Sequence, residues 1–464
     1  MTRSTGSPRD STRAPQSAVA KLLDTLTRRL ERYLRSNVTW DFFFRAVSYL
    51  KSALWTVPIL AIVLVLVITP GLRAIDAWFA WRISGLGPKG AESLYSTVIT
   101  LTLSFMVFTF GSLLVAIQVA SGQLTPRVIA TTLLRDNVVR YTVGLFVFTL
   151  VFAVIALDRL ETRVLEIVTL ITALLGIASI AAFLFLIDYA ARLLRPVSIL
   201  ARIGNEGLAM ITSMYPEQVG DTADEDSAPP ASTDTSHRVV RHIGQAESVL
   251  ALDVDTLVQL AQRTDGVIEF VPQVGDFVAT GEPLFALHGG ATVLRDDALH
   301  TTVAFGPERT MEQDPLFAFR IMVDVALKAL SPAINDPTTA VLAIDQIHRL
   351  LRAVGVRRLR DEKTTDAAGR RRVIYRTPTW DDFVHIAFVE IRSCGAGSVQ
   401  IARRQRAMLD NLIESLPPFR RPALEQERRR LDEAIASLYS IPEDLALARI
   451  PDSQGLGSAS RTQP

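Results

Sequence analysis

The sequence holds a single cysteine, Cys394, among 464 residues. One thiol excludes an internal disulfide framework and any zinc site built on cysteine; the residue reads as a small packed side chain rather than a reactive one. Net charge is nearly absent too. The 49 Lys and Arg stand against 48 Asp and Glu, a formal +1, which gives no general pull toward nucleic acid. The histidines His237, His242, His288, His300, His348 and His385 lack ligand-like spacing, so no metal is expected. No P-loop, G-x-S-x-G or H-E-x-x-H motif occurs. Gly85 to Gly90 spells G-x-G-x-x-G, but it follows no strand and opens no βαβ unit. These absences predict a protein that is not an enzyme and carries no cofactor.

What is present in quantity is hydrocarbon. With 49% hydrophobic residues and a mean hydropathy of +0.26, the composition averages an oily first part and a soluble remainder large enough for its own core. Four apolar runs fill the first part: Ala53 to Leu72, Leu94 to Ala120, Tyr141 to Leu157 and Val164 to Tyr189. About 20 mostly apolar residues suffice to cross a bilayer as a helix, so the fold class expected is an all-α membrane region of four spans followed by a soluble α+β domain. The polar stretch before Ala53 predicts no cleavable signal peptide, so the first span is retained. Lys21, Arg28, Arg29, Arg32, Arg35, Arg45 and Lys51 precede the first run, and Arg192, Arg195 and Arg202 follow the fourth. The positive-inside rule then places both termini in the cytoplasm. Asn37-Val38-Thr39 is a glycosylation triplet in name only on this topology.

The domains expected are these. Residues 1–51 hold a disordered start and, from Ser17 to Arg35, an amphipathic helix with Leu22, Leu23, Leu26, Leu30 and Leu34 on one face, suited to the inner leaflet or to packing on the soluble domain. Residues 52–212 form the transmembrane domain with a helical extension. Residues 213–237 are an acidic flexible linker, too poor in apolar residues to offset their ordering entropy. Residues 238–305 are a small β-rich subdomain, a barrel or sandwich, with reversals at Val274-Gly275-Asp276 and Thr280-Gly281-Glu282. Residues 306–449 are mainly helical, with a strand at Val373 to Tyr375, and a disordered tail follows from 450. The β stretch also looks like the carrier domains that bear biotin or lipoate, but those need a lysine at a hairpin tip and none occurs between Arg238 and His300.

Two constellations are candidates for function. The second run is threaded with Ser93, Ser96, Thr97, Thr100, Thr102, Ser104, Thr109 and Ser112. Of these, Thr97, Thr100 and Ser104, with Gly111 and Gln118, share one helical face. Such a face in lipid turns toward protein or water. It either packs helix on helix or lines a pore in a homo-oligomer. The second candidate is Gly306 to Asp345, where Arg309, Glu312, Asp314, Arg320, Asp324, Lys328, Ser331, Asn335, Asp336 and Asp345 gather around two helix starts. Asp314-Pro315 and Asp336-Pro337 read as caps with proline at the first helical position, and the residues between read either as capping and ion pairing or as a ligand site. Within the spans, only Asp188 stands out as an acid or base.

The quoted segments carry a resemblance. LKSALWTVPIL, VAIQVASGQLTPRV, VGDFVATGEPL and above all GPERTMEQDPLFAFRIMVDVALKALSPAINDPTTAVLAID resemble the bacterial membrane-protein family catalogued as domain of unknown function 2254, from about Arg45 to about Tyr439. The resemblance implies an inner-membrane protein with N-terminal spans and a soluble C-terminal domain, and it brings no reaction, ligand or catalytic residue. The acidic insertion at Gly220 to Ser236 departs from the family pattern. The expected partners are the lipid bilayer and further copies of this chain.

Overall fold

Hydrophobic length sets the first layer of the architecture. The computed structural model describes Trp40, Phe44, Ala53 and residues 55–79, 86–123, 136–160, 164–193, 195–219, 237–359 and 364–456. Its first four helices are α1 (Thr56–Phe79), α2 (Pro88–Gln123), α3 (Asn137–Asp158) and α4 (Glu166–Leu193). Each contains a stretch long and apolar enough to cross a membrane. The third run, the shortest in the sequence, becomes a 22-residue helix of about 33 Å, enough for the hydrocarbon core. α3 is the centre of the bundle: 44% of its span is buried, against 17–18% for the other three. Val143, Phe146, Phe152 and Ala153 point inward from it. Around it Leu60, Val67, Leu114 and Ile177 are exposed, an arrangement that only an apolar medium or another protein surface satisfies. The amphipathic helix expected over Ser17 to Arg35 lies outside the described residues.

The helix after the fourth span, α5 (Pro196–Met214), is where the sequence reading is corrected. It was assigned to the transmembrane domain as an extension, yet Ile199, Leu200, Ile203 and Ile211 lie in the core of the C-terminal region. A Cβ at Gly207 would sit 2.9 Å from the Ala318 Cβ, so glycine lets α5 press closely on that core. The residues that follow are docked as well: Val219 N–H donates to Val356 O at 2.9 Å and Arg358 N–H to Glu217 O at 3.0 Å. The expected linker thus starts no earlier than residue 220, and 220–236 lie outside the described residues.

Of the barrel or sandwich expected for the β-rich part, no closed barrel is present among the described residues. Strands β1 (His237–Arg241), β2 (Glu247–Leu252), β3 (Gly266–Gln273), β4 (Phe277–Val278), β5 (Pro283–Gly289), β6 (Val303–Gly306) and β7 (Val373–Arg376) form two sheets, of order β1-β5-β3-β7 and β4-β2-β6. They share one core of Val249, Leu252, Ile268, Phe270, Phe285, Val303 and Val373. Both predicted reversals are present with left-handed glycines, φ +96° at Gly275 and +87° at Gly281. The helix α6 (Val254–Arg263) connects β2 to β3, and a short α7 (Asp296–His300) precedes β6. β7 comes from beyond the predicted boundary at 305 and pairs parallel to β3, so the β unit is completed by a strand from within the helical part.

That helical part comprises α8 (Pro315–Ala329), α9 (Pro337–Gly355), α10 (Trp380–Gly395), α11 (Val399–Ser415), α12 (Arg421–Leu438) and α13 (Pro442–Ala448). The helices pack around Phe319, Met322, Ile344, Phe383, Phe388 and Leu409, with a capping box at Thr379 and Asp382 starting α10. The tail predicted to be disordered from 450 is ordered through 456: Arg403 Nε donates to Ile450 O at 3.0 Å and Gln400 Nε2 to Gly455 O at 2.6 Å. Buried donors on α11 need acceptors, and this segment supplies them.

Candidate functional site

The polar face of α2 lies on the outside of the chain. Thr97, Thr100, Ser104, Gly111 and Gln118 are all exposed, whereas Thr102 and Thr109 of the same helix are buried against the bundle. Among the described residues the stripe therefore serves no helix packing. Thr97 Oγ1 donates to Ser93 O at 2.7 Å, Thr100 Oγ1 to Ser96 O at 2.8 Å and Ser104 Oγ to Thr100 O at 2.8 Å. Each hydroxyl hydrogen thus points back along the helix, leaving the oxygen lone pairs as acceptors on the outer surface.

The residues of the second candidate do not form one site. Asp314 caps α8 and Asp336 caps α9, accepting from Phe317 N at 3.2 Å and Thr339 N at 3.1 Å. These two helix starts are separated by the 15 residues of α8, about 22 Å. At the first, Arg309 Nε donates to Asp314 at 2.8 Å, and a Cβ on Gly275 would collide with both partners. Glycine at this left-handed position lets the β4 turn close over the ion pair. Burial pushes the Asp314 carboxyl above the usual Asp value while the Arg309 guanidinium pulls the other way. Midway along α8, Arg320 Nε donates to Asp324 at 2.7 Å, and its guanidinium also reaches Glu390 of α10, holding that carboxyl below its ordinary range. At the second start, Ser331 Oγ donates to Lys328 O at 2.7 Å, and Asn335 turns the chain at φ +49°. Asp345 accepts from Arg404 Nε at 2.6 Å. Caps, a turn and ion pairs account for these contacts.

Two features escaped the sequence reading. The first is a polar node where the bundle meets the C-terminal region. Asp136, 2% exposed, caps α3 through Val138 N and Val139 N. It also accepts from Tyr189 Oη at 2.6 Å and from Arg202 Nη1 of α5 at 2.8 Å. Arg140, one turn along, donates to Thr56 Oγ1 at 2.6 Å. An acid immediately before an apolar run is a helix-start signal that could have found Asp136. Asp188, singled out instead, is exposed and pairs with Arg192 along its own helix. The second feature is a cavity of about 390 Å³ between the end of α5, the start of α6 and the loop before α8, walled by Met210, Met214, Glu217, Asp255, Glu312 and Tyr375 among others. Among the described residues no group of three His, Cys, Asp or Glu side chains is placed to hold a metal.

The family described as "Predicted membrane protein (DUF2254)" matches residues 51–411. The chain belongs to this family. An uncharacterized protein of Mycobacterium bovis and one of Mycobacterium tuberculosis are each 25% identical to it over 436 residues, covering 89% of this chain and 81% of the relative. No solved structure matches it. The DUF2254 match takes in the bundle, α5, both sheets and α8 to α10, and ends inside α11. The core continues past that end through Leu424, Leu431 and Ile435 of α12. Two of the motifs that carry the resemblance meet in space: Val274, from VGDFV, and Glu312 and Gln313, from GPERTMEQDP, all line the 390 Å³ cavity.

Proposed function

We propose that this DUF2254 protein is a homo-oligomer of the bacterial inner membrane, with both termini cytoplasmic, in which copies of α2 line a path for ions or small solutes and the C-terminal region assembles or gates it. The observation that carries this reading is the outward stripe of Thr97, Thr100, Ser104, Gly111 and Gln118 on a helix otherwise fit for lipid. Oxygen acceptors facing a shared axis favour cations over anions. A lone chain offers no enclosed path along this face, so the reading requires several copies. The bilayer and sister chains are the partners, and no catalytic step or nucleic acid enters. The test combines the mass of the detergent-extracted complex with ion and solute flux in liposomes. An oligomer with flux that falls on replacing Thr100 and Ser104 by Leu supports it; an intact oligomer silent under voltage, tension and osmotic shift overturns it.

A second reading, a non-conducting anchor that holds a ligand- or partner-binding domain at the membrane, is favoured by one observation. The C-terminal region has two extensive cores of its own and a cavity away from the bundle. On that reading the reconstituted protein conducts nothing, and the Thr100 and Ser104 replacements alter only assembly.

A further inference from the structure

We propose that the 390 Å³ cavity beside α5 binds a linear organic di- or polyamine. Its volume is far beyond a single ion or water, which occupies about 30 Å³, and falls in the range of small-molecule sites. Among the described residues its walls carry four carboxylates, Glu217, Asp253, Asp255 and Glu312, against the one guanidinium of Arg358. Arg358 is already engaged by Glu217 at 3.2 Å. That surplus repels phosphates and carboxylates and attracts cations.

The cation is not a bare metal. Among the described residues no three metal-ligating side chains converge, so the negative charge is spread along the walls instead of focused on a point. Beside the carboxylates the walls carry apolar and aromatic groups: Met210, Met214, Val254, Val274, Trp40 and Tyr375. Thioethers and alkyl groups accommodate methylene chains, and indole and phenol faces attract ammonium groups. Separated ammonium groups joined by methylene segments match this mixed lining. The cavity is also tied to the bundle by one rigid element. α5 supplies Met210 and Met214 to its wall, and about 12–18 Å earlier along the same helix supplies Arg202 to the buried Asp136.

Spermidine is the probe, titrated by calorimetry and tryptophan fluorescence into the full chain in detergent, with magnesium chloride and sodium chloride at matched ionic strength as controls. Saturable spermidine binding is expected, with a fluorescence change that Trp40→Phe abolishes and Trp55→Phe leaves in place. Asp255→Asn and Glu312→Gln are each expected to weaken binding by about tenfold. Asp255 is exposed, so its variant retains the fold and keeps the test decisive should the other variant be unstable. The proposal is overturned if spermidine does not saturate, if magnesium at equal ionic strength reproduces the response, or if Asp255→Asn binds as tightly as the parent. None of these outcomes depends on whether the bundle conducts.

Discussion

The apolar bundle and the C-terminal region solve the burial problem in opposite directions. In the C-terminal region Phe319, Phe383 and Phe388 are at most 1% exposed, and the buried guanidinium groups of Arg403 and Arg420 donate to backbone carbonyls. In the bundle, large apolar residues such as Val107 and Leu114 face outward, and the hydroxyls of α2 turn their hydrogens onto their own backbone. One chain thus carries two solvents' worth of rules. The contrast teaches where to look for function. A polar stripe on the outside of a helix is ordinary in water, and it needs a reason where the neighbouring exposed residues are hydrocarbon.

The contrast can be broken in order of effect. Phe383→Ala is expected to cost about 3–5 kcal/mol, by opening a void against Phe319, as read from denaturation of the C-terminal region. Phe110→Ala on the outer surface of α2, 45% exposed, is expected to change that stability by under about 0.5 kcal/mol. Equal costs would mean that the two regions do not differ as described. Asp136→Ala is expected to cost about 3 kcal/mol, because it takes the buried partner from Arg202, which keeps only Glu206 among the described residues, and removes the α3 cap; the check is the loss of a common melting transition for bundle and C-terminal region. A smaller loss, about 1 kcal/mol, is expected of Asp336→Ala through its cap alone. A large functional loss at unchanged melting temperature would instead mark the α9 start as a ligand site.

Proton linkage sharpens the same comparison. Because the Asp314 carboxyl is raised in the folded protein, the folded state binds the proton more tightly than the unfolded one. Its contribution favours folding below the ordinary Asp value and is lost as pH rises through the raised one. Asp314→Asn keeps a capping side chain and removes the charge, so a flatter stability profile across that window is expected in urea titrations at a series of pH values. The smallest stability effect belongs to Thr100→Leu with Ser104→Leu, under about 0.5 kcal/mol on exposed helix positions, paired with the largest expected change in flux.

How much of this was legible beforehand follows the range of the interactions. The four apolar helices, the caps at Asp314 and Asp336 and the turns at Gly275 and Gly281 rest on local signals, hydrophobic length, cap chemistry and left-handed glycine, and the sequence displays these directly. The placement of α5 in the C-terminal core, the entry of β7 beside β3 and the docking of residues 450–456 rest on contacts between distant segments. Periodicity cannot announce them: α5 reads as amphipathic whether it faces lipid headgroups or α9. The α2 stripe was legible as a pattern, but whether it faces inward or outward in the chain was not. The segment Gly306 to Asp345 was legible as unusual, and only the length of α8 shows that its two helix starts stand apart.

The central claim, that the polar face of α2 meets its counterpart in another copy, is open to one direct measurement. Because Cys394 is the only cysteine, Cys394→Ser gives a thiol-free background in which Thr100→Cys and Thr102→Cys can each be oxidised in native membranes. Disulfide-linked dimers, the largest species one thiol per chain allows, are predicted from the exposed position 100 and none from position 102, which is 1% exposed within its own chain. Monomer at position 100 under conditions that cross-link a positive control, or dimers from position 102 alone, would contradict it.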